Sequence, residues 1–119
     1  MKIISPRSHG YLDFLTVVIF ALAPTLLDLS KVPAILSYGL AAAHLVVTLI
    51  SGFPTAAFKL IPFIVQGWIE RVVGPALIIA PFALSFSDEI LASNFFIAMG
   101  VIIIAVGFFT NYQGDNRSY

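Results

Sequence analysis

Four apolar stretches follow one another along the chain, at about 11–29, 32–50, 68–86 and 90–112, with polar residues gathered at their ends. Each is close to the length of helix that crosses ~30 Å of hydrocarbon at ~1.5 Å per residue. The pattern therefore predicts an all-α membrane protein with four transmembrane helices. Only Ser30-Lys31 separates the first stretch from the second, and Ser87-Asp88-Glu89 the third from the fourth. Connections this short make consecutive helices antiparallel neighbours. Pro33 suits the first turn of the second helix, where a missing N–H costs nothing. The connector at about 51–65 carries Pro54, Lys59 and Pro62 among Phe53, Phe58 and Phe63. That composition suits a segment lying in the interface. A fifth span is not expected, because it would put Lys59 in mid-bilayer.

The segments His9–Ser30 and Gln66–Ser87 read as two versions of one pattern at an offset of 57 residues. Gly10 pairs with Gly67, Tyr11 with Trp68, Asp13 with Glu70, Ala23-Pro24 with Ala80-Pro81, Leu27 with Leu84 and Ser30 with Ser87. Leucines coincide in any two apolar helices, whereas a carboxylate at the entry and an Ala-Pro near the exit need not recur. A tandem duplication of a helical hairpin follows: one repeat at about 9–53, the connector, and a second repeat at about 66–112, forming one domain over 1–119.

Composition strengthens this reading. Hydrophobic residues make up 60% of the chain and charged residues 10%, against about a quarter charged in an ordinary soluble domain. Six basic and six acidic residues cancel, so there is no electrostatic case for a nucleic-acid partner. With no cysteine, disulfides, thiolate metal sites and dithiol redox chemistry are excluded. Lys2, Arg7, Lys59, Arg71 and Arg117 collect on one side of the four spans and only Lys31 on the other. The positive-inside rule then puts both termini in the cytoplasm, with the two hairpins parallel in orientation. Ala21-Leu22-Ala23 after an apolar run imitates a signal-peptidase site. Pro24 directly after it, and the same Ala-Pro in mid-chain, argue against cleavage there.

A two-helix unit repeated in tandem, with a small residue and a proline near the end of its first helix, resembles the SPW-repeat family of small bacterial membrane proteins. The stretches concerned are Ala23-Pro24-Thr25 and Ala80-Pro81-Phe82, which share with the family motif the proline and its place in the unit. The resemblance covers residues 9 to 112 and implies the repeat fold. It implies no activity.

Candidate chemistry rests on a few polar side chains. His9, Asp13 and Thr16 share one helical face by their spacing. Ser37, Ala41, His44, Thr48 and Ser51 form a stripe at alternating spacings of four and three, which puts His44 within reach of Asp13 or Thr16. An ionisable group within a span calls for a reason. His9, Asp13 and His44 could carry protons or bind a ligand; equally, His44 could be a neutral packing residue, since Val101 stands 57 positions on. Gln66, Glu70 and Arg71 join this polar set, and Arg71 is within plausible reach of Asp13. A register lock is the favoured role for that network. Gly67 and Gly74, with Gly100 and Gly107, allow close helix approach. Pro24 and Pro81 each deprive a carbonyl of its helical donor and kink the helix unless a neighbour repairs it.

No metal-ligand spacing, nucleotide loop or nucleophile triad is present. The reading that uses every feature is a non-catalytic protein, self-associating or an accessory subunit of a membrane complex, without cofactor. A second reading is an oligomeric small-solute or proton carrier using His44 and Asp13. A third, haem or quinone binding on His44 with His9, is disfavoured because His9 is expected at or outside the interface.

Overall fold

The computed structural model describes residues 4, 6–50 and 63–110, leaving aside the side chains of 6, 7, 63, 64 and 66. Four helices account for nearly all of it: α1 (Pro6–Leu26), α2 (Lys31–Ile50), α3 (Phe63–Ala83) and α4 (Ile90–Phe109). Ser8–Leu26, α2 and α4 are long and apolar enough to cross a membrane. The residues 63–65, expected in the connector, form the first turn of α3. The remainder of that connector, with Lys59, and the interfacial Tyr112 lie outside the described residues.

The boundaries depart from expectation in the same way in α1 and α3. Both begin five residues earlier than the apolar pattern indicates and end three residues earlier, at Leu26 and Ala83. The early start of α1 brings His9, which is buried between the helices, into the helix. The early ends are set by left-handed residues, Asp28 with φ 51° and Ser85 with φ 64°. Past each, the chain turns back, Leu29 N–H donating to the Pro24 carbonyl at 3.0 Å and Phe86 N–H to that of Pro81 at 2.8 Å. This six-residue closure satisfies the last carbonyls of the helix.

α1 and α3 are each 21 residues and stand 57 positions apart at both ends; α2 and α4 are each 20 residues and stand 59 apart. The difference arises in the turns, four residues between α1 and α2 but six between α3 and α4. Counted from the helix starts, His44 in α2 matches Ile103 in α4, whereas the constant offset of 57 leads to Val101. Shifted by 59, the α2 stripe becomes Phe96, Gly100, Ile103, Gly107 and Thr110, all of them buried.

α1 packs on α2 and α3 on α4. In the first pair, Phe20 meets Ser37 and Asp13 meets His44; seven residues back on one helix match seven forward on the other, so the helices are antiparallel. The second pair approaches most closely at two glycines. A Cβ on Gly100 would stand 2.6 Å from the Gly74 carbonyl oxygen and 2.7 Å from Ile78 Cγ1. Phe20, Phe86 and Phe96 form the core toward the interhelical turns, with the Phe86 and Phe96 rings 5.4 Å apart and the Phe20 and Phe95 rings 5.6 Å apart, both edge to face. Such pairs contribute ~1 kcal/mol each beyond area burial, and the second joins α1 to α4.

Pro24 and Pro81 are buried near the ends of α1 and α3. The carbonyl that Pro24 leaves without a donor is that of Phe20, four residues back, and the Ser37 hydroxyl donates to it at 2.6 Å. A neighbouring helix thus repairs the break. The outer surface is apolar on every helix: Leu15 and Leu22, Ile35 and Val46, Val72 and Ile79, Ile102 and Phe108 are each half exposed or more. In water so continuous an apolar surface would be an association hazard, whereas lipid tails cover it without cost.

Candidate functional site

At the opposite end from the aromatic core, α1 brings His9 and Asp13 one turn apart into the space between the helices. His9 is fully buried among the helices and is the hub. Its Nε2 stands 3.1 Å from Asp13 Oδ1 and 3.0 Å from Glu70 Oε2. Its Nδ1 stands 2.8 Å from Thr110 Oγ1. His44, from α2, places Nε2 3.1 Å from the same Asp13 oxygen. Four helices thus converge through five side chains: His9 and Asp13 from α1, His44 from α2, Glu70 from α3 and Thr110 from the end of α4. A backbone bond from Ile4 N–H to the Phe109 carbonyl at 2.9 Å fastens the chain beside it.

The hydrogen-bond directions can be assigned. The single hydroxyl proton of Thr110 goes to the Val106 carbonyl at 2.5 Å, so Oγ1 can only accept from His9. His9 Nδ1 is therefore protonated. Its other nitrogen then faces two carboxylate oxygens, and something positive must lie between the three atoms, either a proton on Nε2 or a cation. In the ionised state Asp13 also accepts from His44 Nε2–H. One carboxylate oxygen thus orients two imidazoles.

The remaining polar residues divide clearly. Thr16 donates to the Leu12 carbonyl at 2.8 Å within its own helix, so it stabilises α1 locally. Arg71 is exposed, its guanidinium 4.7 Å from the Trp68 ring centroid, a cation–π arrangement. The Gln66 side chain lies outside the described residues. Thr110 was not singled out by sequence reasoning, although the four-three stripe of α2 repeated 59 positions on would have led to it. Thr48 is more deeply buried than His44, and its hydroxyl has no hydrogen-bond partner among the described residues.

His9, Asp13 and Glu70 present one possible ligand atom each within 4.8 Å of one another. No sequence spacing could announce it, since Glu70 lies 61 residues from His9. For haem between His9 and His44 the arrangement is unsuitable, because Asp13 fills the place between the two imidazoles where iron would stand. A cavity of about 60 Å³ between α2 and α3 is lined by His44 and Glu70, and an apolar groove of about 460 Å³ shares Leu40 and Val73 with it. A cleft of about 400 Å³ between α3 and α4 also reaches Glu70. The cluster thus has two approaches, both by way of Glu70. Comparison with family models, curated proteins and solved structures returns no match for the chain.

Proposed function

We propose that this chain is a small non-catalytic integral membrane protein of the bacterial inner membrane that works by assembly, with further copies of itself or as an accessory subunit of a membrane complex. Its four spans form two tandem hairpins in parallel orientation with both termini cytoplasmic, and α3 is the fourth span by its length, equal to that of α1. Matched helix lengths, matched turn closures after Pro24 and Pro81, and matched buried stripes support the duplication.

The observation that carries the reading is that the ionisable side chains inside the helices are spent on one another. His9, Asp13, His44 and Glu70 bind each other at one end of the bundle, and between them and the far turns the four helices contain no other Asp, Glu, His or Lys until Asp28, Lys31 and Asp88. A proton carrier needs relay groups along its path. A cluster confined to one end serves instead to fix the order and register of the helices, the best-attested use of buried charges.

Cysteine labelling in membranes tests the topology, with Ser5 and Ser118 expected to react only from the cytoplasm and Ser30 only from outside; reaction of Ser5 and Ser30 from one side contradicts it. Cross-linking in native membranes tests the assembly. A chain found only as a solitary monomer, with no partner, overturns this function.

A further inference from the structure

Three acceptors meet at one buried point in this bundle. With His9 Nδ1–H committed to Thr110, the second ring nitrogen, Asp13 Oδ1 and Glu70 Oε2 face each other at 3.0 and 3.1 Å from Nε2. A proton on Nε2 can fill the point, and so can a cation bound by all three atoms.

We propose that His9 Nε2, Asp13 Oδ1 and Glu70 Oε2 are the protein ligands of one divalent transition-metal ion, held where the four helices converge.

The distances suit it. In a four-coordinate shell with bonds of ~2.0–2.1 Å, neighbouring ligand atoms stand about 3.3 Å apart, close to the two separations seen. The third edge, Asp13 to Glu70, is within 4.8 Å and closes by rotation of a carboxylate. The supports are those a metal centre requires: a ligating imidazole donates its other N–H to a fixed oxygen, here Thr110, and a ligating carboxylate is itself hydrogen-bonded, here by His44. An imidazole among the ligands favours zinc or manganese over magnesium or calcium, which take oxygen alone.

A second observation points to the same place. Thr48 is 1% exposed and its hydroxyl has no partner among the described residues. The antiparallel register that sets Phe20 against Ser37 and Asp13 against His44 sets His9 against Thr48, one turn further along each helix. An orphaned hydroxyl thus stands beside the three ligands, where it would receive a metal-bound water. Glu70, with Arg71, lines the cleft of about 400 Å³ between α3 and α4.

The test uses the full chain in lipid nanodiscs, stripped with chelator and then loaded separately with Zn²⁺, Mn²⁺, Co²⁺ or Mg²⁺. Wild type should retain one Zn²⁺ or Mn²⁺ per chain after desalting and unfold at a higher temperature when loaded. It should give visible Co²⁺ bands of a low-coordinate N/O site. Glu70→Gln and Asp13→Asn, close in shape to the wild type, should lose metal and the thermal shift together. Thr110→Val should weaken affinity about 10–100-fold without abolishing binding. Wild type that retains no metal overturns the proposal without recourse to any variant. So does retention undiminished in Glu70→Gln, which would mark an adventitious ion, and so does binding of Mg²⁺ in preference to Zn²⁺ and Mn²⁺. Metal content is read per chain, so the result stands apart from whether the protein assembles.

Discussion

The two helix pairs have equal helix lengths and the same closure after Pro24 and Pro81, yet different forces close them. In the first pair, side chains bridge the helices through polar groups: Ser37 to the Phe20 carbonyl, His44 to Asp13. In the second, backbone meets backbone at Gly74 and Gly100, and an aromatic ring stands where the serine would be. Phe96, 59 positions on from Ser37, has no proton to give to the carbonyl that Pro81 leaves behind. One geometry therefore admits two solutions. In lipid, where apolar contact between helices gains little over contact with tails, close approach and interhelical hydrogen bonds are the two means available, and each pair relies chiefly on one. The polar means also concentrates chemistry, since three of the five cluster residues come from the first pair and Glu70 and Thr110 from the second.

Removing the hub should have the largest effect. His9→Leu leaves Asp13 and Glu70 buried without their shared partner, a loss expected at ~3–5 kcal/mol, read as a fall in the unfolding midpoint in detergent or nanodiscs. A fall no larger than that of an exposed substitution such as Leu15→Ala would mean that the cluster holds nothing together.

Next comes the glycine contact. Gly100→Ala sets a methyl against the Gly74 carbonyl oxygen at 2.6 Å, where backbone must yield, at about 1–3 kcal/mol. The contrast within the molecule is Gly39, whose Cβ would meet nothing within 4 Å. Gly39→Ala should stabilise α2 by about 0.5–1 kcal/mol through helix propensity alone. Equal effects at the two positions would erase the distinction between the pairs.

Ser37→Ala exposes the repaired break and should cost about 1–3 kcal/mol, the range for a buried group left unsatisfied. In a Pro24→Ala background the helix supplies its own N–H to the Phe20 carbonyl, so the same serine substitution should cost much less. An undiminished cost would show that Ser37 acts through packing and not through that bond.

Much of this was legible in the chain. Helix number, the prolines near the exits, the small-residue contacts and the grouping of His44 with Asp13 follow from period and spacing, which are local properties. Three features were not. His9 precedes the apolar run and so resembles an interfacial residue; only the arrival of Glu70 and Thr110 from distant segments buries it. The two extra residues in the second turn shift α4 relative to α2, so a constant offset of 57 does not match the α2 stripe with the buried α4 positions 59 residues on. The ligand-like convergence of His9, Asp13 and Glu70 exists only in three dimensions.

The central claim is that the His9–Glu70 contact joins the two helix pairs. A double-mutant cycle of His9→Gln and Glu70→Gln, read as unfolding free energy in nanodiscs stripped of metal, measures that contact directly. The account predicts that the two effects fall short of additivity by at least ~1 kcal/mol, as for partners in one buried network. Additivity within ~0.5 kcal/mol would contradict it.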